Sequence, residues 1–358
     1  MAAKTSRSKK SERRKQRERF RKKVTADCSR LLGEKVAAME YPGGKSRDSV
    51  RVVMEHRGPV IASVRKTRER AATECKALAA LAPRGAPVPQ LIADDKRRLL
   101  VQEEIPGVRL AQALHRQDEH TVERLLDSAL TGLSDCQRLG SEAGLDDELK
   151  TLGKSFDWLV GLLDRPAVIG NFLGVPPDTP QLGPLEELLA LRKPRFVKWD
   201  SRPGNAMVTD DGKVYWFDWE HCGARNRLDD MAWLLADEYV PDCPAVEERL
   251  IDKHIANFAD DLSVDEAKHY LSAYGVFHLS IRLGLICKYK RRDGDWWDHD
   301  YCVERDKIGV TQEQMRRICS RGERWARMNP YTEVLAPWYA KMANLFQEQP
   351  SEPARQVG

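Results

Sequence analysis

FVKWDSRPGNAMVTDDGKVYWFDWEHCGARNRLDDMAWLLADE, residues 196–238, is the stretch from which the rest of the chain is understood. It is strand-like at FVKWD and on both sides of TDDGK. Asp211-Gly212 has the composition of a two-residue hairpin turn. Such a turn sets Asn205 opposite Asp218 at the open end of the hairpin, with Cβ atoms about 4.5–5.5 Å apart. An amide oxygen and a carboxylate so placed can share one hard cation. A slip of the turn by one residue would shift the pair without separating it. Asp200 precedes Asn205 across Ser201-Arg202-Pro203-Gly204. Pro and Gly enforce a loop there, so Asp200 can fold back over the same space. A lone carboxylate facing a carboxylate/amide pair suits a catalytic base beside a divalent metal. Arg202 adds a cation suited to an anionic transferring group.

Upstream, GEKVAAMEY, SVRVVMEH and PVIASVRK alternate as strands, separated by PGGKSRD and by Arg57-Gly58. RERAATECKALAALA follows with Ala71, Cys75, Leu78 and Leu81 at helical spacing. LIADDKRRLLVQEEI supplies two more strands around Asp94-Asp95. The pattern predicts an α+β lobe of five strands and one helix ending at residue 105. After Pro106-Gly107 the periodicity is helical, over 120–139, 246–262, 269–290 and 311–328, the last opened by a Thr311/Gln314 capping pattern. The Asp- and Trp-rich run DGDWWDHD, 293–300, is open to two readings: an acceptor-binding element, or a helix-linking loop whose tryptophans tuck into the core.

This order of elements, with these residues, resembles the aminoglycoside phosphotransferase/choline kinase family, a branch of the protein-kinase-like fold. The family's His-Gly-Asp, three residues, Pro-Gly-Asn pattern is matched by Lys198-Trp199-Asp200-Ser201-Arg202-Pro203-Gly204-Asn205. Its Ile-Asp-Trp-Glu is matched by Phe217-Asp218-Trp219-Glu220, and its Asp-Leu-Ala by Asp230-Met231-Ala232. The resemblance implies a two-lobed fold, with a small five-stranded antiparallel N-lobe carrying one helix and a larger, mainly helical C-lobe. It implies a kinase that uses ATP and Mg²⁺ and acts on a hydroxyl of a small acceptor such as an aminoglycoside, amino alcohol or sugar. By carry-over, Asp200 is the base, Arg202 lies near the γ-phosphate, Asn205 and Asp218 are metal ligands, and Asp230 buttresses the catalytic loop. Gly43, Gly44 and Ser46 would approach the phosphates by backbone amides. Arg65 or its neighbour Lys66 would meet the α/β-phosphates, paired with Glu74; strand alternation lets only one of the two point inward. The backbone of Glu103 to Ile105 would meet the adenine edge. Lys198-Trp199 departs from His-Gly, so the loop must be braced differently here.

Composition bounds the rest. Lys plus Arg number 59 and Asp plus Glu 55, for a net charge of +4. Residues 1–23 hold twelve basic and two acidic side chains, so the remainder carries a net −6. The expected organisation is a basic, disordered tail over 1–23, a nucleotide-binding lobe over 24–105, a lobe over 106–345 with catalytic loop, metal and acceptor sites, and a loose tail over 346–358. The basic segment 4–23 lacks an apolar core for a secretory signal and could contact nucleic acid or an anionic surface. That leaves a second function class open, a nucleotide-binding pseudokinase or adaptor. Eight cysteines without CxxC pairs point to reduced thiols in a cytoplasmic protein. No run of about 20 residues is free of charge, and 271–289, with His278 and Arg282, is expected as a core helix rather than a membrane span.

Overall fold

Strict alternation builds the first unit. Val50, Val52 and Met54 point to one face of their strand and are buried, while their neighbours are half-exposed. In the computed structural model, which describes residues 2–42 and 48–345, five strands form one antiparallel sheet among the described residues. They are β1 (Val36–Glu40), β2 (Ser49–Met54), β3 (Gly58–Val64), β4 (Leu91–Asp94) and β5 (Leu99–Glu103), in the order β1-β2-β3-β5-β4. The helix Arg68–Leu81 follows β3, with Thr67 as its N-cap accepting from the Arg70 amide at 3.2 Å. The unit ends at Ile105.

The expectation of disorder over 1–23 does not hold, because the backbone from Ala2 to Leu32 is one helix. Phe20, Val24, Cys28, Leu31 and Leu32 form a stripe that packs on the sheet core of Val50, Val52, Val60, Ala62, Leu99 and Val101. That docked turn supplies the costly nucleus, and Lys, Arg, Glu and Gln, good helix formers, propagate it toward the N-terminus. The expected boundary at 23/24 therefore falls inside a helix. The tail expected over 346–358 lies outside the described residues, as do Gly43, Gly44 and Ser46.

The second unit begins at Pro106. It carries β6 (Val108–Arg109), β7 (Arg195–Val197), β8 (Ala206–Val208), β9 (Val214–Trp216) and β10 (Gly223–Arg225). These pair as a β6-β8-β9 sheet and a β7-β10 ribbon among the described residues. Helices make up most of the remainder: Glu119–Glu142, Leu228–Leu235, Pro244–Phe258, Val264–Asp293, Gln312–Arg327 and Ala336–Leu345 are the main ones. Val264–Asp293 is long and apolar enough to cross a membrane, yet 83 % of its apolar window is buried inside the protein. It is the central core helix of this unit. Trp297 of the 293–300 run packs against a small cluster of Ala111, Tyr239, Cys302 and Val303, and Asp298 caps the helix His299–Glu304. The loop reading of that run accounts for these residues.

His278 sits on the central helix with its ring 4.3 Å from that of Trp233. Burial, then the Arg282 guanidinium, push its pKa from 6.5 down to about 3. Between those values the unfolded chain takes up a proton that the folded imidazole refuses. Stability from this group is present above pH 6.5 and is lost as pH falls toward 3, with a slope of up to about 1.4 kcal/mol per pH unit. Asp237, raised to about 7 by burial and Glu238, acts with the opposite sign, so the informative quantity is a difference. Urea unfolding of wild type and His278→Phe between pH 5 and 7 should show wild type losing stability more steeply on acidification. Parallel curves would contradict the assignment.

Candidate active site

The loop after β7 is held in an unfavourable backbone shape. Trp199, Asp200 and Asp218 all have left-handed φ, at 52°, 63° and 63°. Such residues cost on the order of 1–3 kcal/mol each and persist only where their surroundings over-determine them. One carboxylate does most of that here. Asp230, in the first turn of Leu228–Leu235, is fully buried. Its Oδ2 accepts from the Lys198 amide at 2.7 Å and from Gln137 Nε2 at 2.8 Å. Its Oδ1 accepts from the Trp199 amide at 2.8 Å and the Ser201 hydroxyl at 3.2 Å. Burial raises the Asp230 pKa, and these donors work against the rise.

Lys198, also fully buried, occupies the position of the resemblance's His. Its Nζ donates to the carbonyl oxygens of Asp218 at 3.1 Å and Asp200 at 3.4 Å. The ammonium lies 5.3 Å from the Trp219 ring and 5.8 Å from the Trp216 ring. Carbonyl dipoles and aromatic faces replace the water that a buried ammonium loses. The brace thus joins two of the three left-handed residues, Asp200 and Asp218. The positive φ at 199 shows why Gly suits this position; here the indole of Trp199 is accommodated by Trp233 and Trp158, with ring centroids at 5.8 and 6.0 Å.

Asp200 is gripped from both sides. Asn205 Nδ2 donates to its Oδ2 and to its backbone oxygen, each at 2.9 Å. Arg202 Nε lies 3.2 Å from its Oδ1. Burial pulls the Arg202 pKa down, but Asp200 and then Asp306 outweigh it, and the net shift is upward. Arg202 Nη2 is also 3.6 Å from Asp306 Oδ1. Asp306 in turn pairs with Arg109 at 3.2 Å, and Arg109 donates to the carbonyl of Gly204. A side chain at 204 would collide with Asp306.

The hairpin register differs from expectation by one residue. Ala206 faces Trp216, Met207 faces Tyr215 and Val208 faces Val214. Thr209 donates its amide to Lys213 at 3.0 Å, so the loop holds three residues, 210–212, with Gly212 left-handed at φ 80°. Asp211 accepts from the Thr209 hydroxyl and from the Lys213 amide, which draws Asp210 into the loop. Asn205 therefore sits opposite Phe217, whose amide donates to the Asn205 carbonyl at 3.1 Å, and Asp218 is the next residue beyond. The donor set fits a hard cation. The Asn205 amide nitrogen is spent on Asp200, leaving its oxygen to offer beside the Asp218 carboxylate.

In the first unit, Arg65 and Glu74 form a buried fork: Nη2 meets Oε1 at 2.6 Å and Nε meets Oε2. Lys66 is exposed, so Arg65 is the inward member of that pair. Glu103 ends β5 with its amide donating to Gln90 at 2.9 Å, so that amide is committed within the unit. Ile105 is buried.

The sequence matches the family model described as the phosphotransferase enzyme family (APH) over residues 38–263. The chain belongs to that family. A search of curated proteins finds no match. Among solved structures, a provisionally assigned aminoglycoside phosphotransferase from Ralstonia eutropha is similar at 14 % identity and TM-score 0.52, over 89 % of this chain and 98 % of that one. The choline kinase LicA of Streptococcus pneumoniae is similar at 16 % identity and TM-score 0.44, over 84 % of this chain and 99 % of that one. A thermostable mutant of aminoglycoside phosphotransferase APH(4)-Ia, solved with ADP and hygromycin B, is similar at 13 % identity and TM-score 0.49, over 85 % and 98 %.

In this phosphotransferase, sequence reasoning missed Arg109, Gln137 and Asp306. Arg109 lies 95 residues from Gly204 and 197 from Asp306, and no local spacing links them. Lys198 was visible only as a departure, yet it is the brace. Replacing it with Met removes the donor to the Asp218 carbonyl, while the Asp200 carbonyl keeps Asn205 Nδ2. Lys198→Met should lower stability in urea by about 1–3 kcal/mol. A loss below about 0.5 kcal/mol would show that the ammonium does not hold the loop.

Proposed function

We propose that this enzyme transfers the γ-phosphate of ATP to a hydroxyl of a small acceptor, with Asp200 as the base. The observation that carries the reading is the state of Asp200. Its carboxylate is oriented by Asn205 and Arg202, and its backbone is fixed by Asp230 and Lys198. The acceptor hydroxyl gives its proton to Asp200, its oxygen bonds to the γ-phosphorus, and the bond to the β,γ-bridging oxygen breaks to leave ADP. Asn205 and Asp218 would hold Mg²⁺, which when bound neutralises phosphate charge. Arg202, clamped between Asp200 and Asp306, keeps a positive charge beside the base and the incoming phosphate.

The fork of Arg65 with Glu74 is suited to the α/β-phosphates, because a guanidinium held by a carboxylate still presents donors to a second anion. Gly43, Gly44 and Ser46 are assigned to the phosphates, and the backbone to Ile105 to adenine. The acceptor belongs to the class of aminoglycosides, amino alcohols and sugars. Reduced thiols fit a cytoplasmic setting.

Steady-state turnover of ATP, with water or a screened acceptor, should fall about 10²–10⁴-fold in Asp200→Asn, while affinity for ATP in Mg²⁺ stays within a few-fold of wild type. Equal loss of binding and turnover would contradict the base assignment.

A further inference from the structure

Away from the catalytic loop, the second unit gathers two imidazoles and a carboxylate. His115 follows the short helix Leu110–Ala113, while His299 and Asp300 open the helix His299–Glu304. One ligand atom from each of the three lies within 4.8 Å of the others. His115 Nε2 is 3.1 Å from Asp300 Oδ1, and the two imidazole rings meet edge to face with centroids 4.6 Å apart. The imidazoles are mostly covered, at 18 % and 15 % side-chain exposure, and Asp300 is open at 52 %. An ion can reach the group from the Asp300 side.

We propose that His115, His299 and Asp300 form a binding site for a borderline divalent transition metal ion such as Zn²⁺. Two imidazole nitrogens with one carboxylate oxygen suit Zn²⁺, Co²⁺ or Ni²⁺, the remaining positions being taken by water. Ligand bonds of about 2.0–2.2 Å place neighbouring ligand atoms of a tetrahedral site roughly 3.3–3.6 Å apart. The His115–Asp300 pair, at 3.1 Å, lies slightly inside that spacing, and the ligand atoms, spread over up to 4.8 Å, must draw together by about an ångström to meet one ion. A supporting shell is present. His299 Nδ1 is 3.4 Å from Glu313 Oε2, and Glu313 is itself held by Arg317. Gln314 touches His299 Nε2 and must give up that contact for the nitrogen to face an ion, Glu313 remaining on Nδ1. An outer carboxylate of this kind fixes the ring orientation. Arg116 lies 3.2 Å from Asp300 Oδ1 and must swing away when an ion binds; at 72 % exposure it is free to do so.

The site lies where it matters to the loop. His115 follows Arg109 by six residues, and Asp300 precedes Asp306 by six. Arg109 and Asp306 are the pair that clasps Gly204 and Arg202. An ion at His115, His299 and Asp300 ties together the two segments that supply the clasp. Mg²⁺ prefers oxygen donors, so it does not compete for this site, and the proposal stands apart from the nucleotide reading.

The test is a Co²⁺ titration of the full chain after chelator treatment, read by visible absorption and followed by Zn²⁺ displacement. Wild type should bind one equivalent with a d–d band and without a thiolate charge-transfer band, unaffected by Mg²⁺. His115→Ala and His299→Ala should each weaken binding by at least about tenfold. Asp300→Asn, at a position 52 % exposed, should weaken it as well. A thiolate band, or affinity unchanged in Asp300→Asn and in either histidine variant that keeps its metal-free melting temperature, would overturn the proposal.

Discussion

The carboxylate of Asp230 is the constraint on which the catalytic segment depends. It accepts from two consecutive backbone amides, a hydroxyl and a side-chain amide while fully buried. Two amides converging on one carboxylate curl the chain at 198–199, and that curl carries Trp199 and Asp200 into left-handed backbone. A helix N-terminus beneath the carboxylate adds favourable dipole. The strain that exposes Asp200 is thus offset by hydrogen bonds to a carboxylate that is shielded from solvent. Lys198 completes the arrangement by tying the carbonyl of Asp200 to that of Asp218. The residues proposed as base and metal ligand are positioned by one side chain between them.

Around this hub the second unit buries charge in pairs. Arg225 pairs with Asp229 at 2.5 Å, and Tyr270 donates to the same carboxylate at 2.7 Å. Burial nevertheless lifts the Asp229 pKa to about 6, because desolvation outweighs the guanidinium. Arg282 forks onto Glu238, where the guanidinium outweighs burial and holds the carboxyl low. The chain Arg109–Asp306–Arg202–Asp200 runs from that region to the proposed base. Each pair contributes little net stability compared with apolar packing, but breaking one leaves a bare buried charge and costs about 3–5 kcal/mol. The value of such pairs here is geometric: they fix where the carboxylates and guanidiniums point.

Much of this was legible in the residues. Alternation marked β2 and β3, and helical spacing marked Arg68–Leu81 and the central helix. Asp200, Asn205, Asp218 and Asp230 stand out as candidates because turn chemistry and a family pattern coincide within 196–238. What was not legible is of three kinds. The hairpin register moved by one residue because the Asp211 side chain, not the Asp-Gly pair alone, sets the loop length. The helix Ala2–Leu32 was obscured by charge, since its docking stripe begins only at Phe20, the one stripe residue inside the basic run. Arg109 and Asp306 belong to the site through contacts between segments nearly two hundred residues apart, which no local pattern encodes. The choice between Arg65 and Lys66 needed the side-chain directions that the buried fork with Glu74 supplies.

The central claim is that a lysine-braced loop still presents a working metal and nucleotide site. The most direct measurement is a calorimetric titration with ATP, with and without Mg²⁺, on wild type and Asp218→Ala. The account predicts single-site binding to wild type that strengthens with Mg²⁺, and loss of that Mg²⁺ dependence in Asp218→Ala. Absence of binding to wild type in Mg²⁺, or binding whose Mg²⁺ dependence survives the substitution, would contradict it.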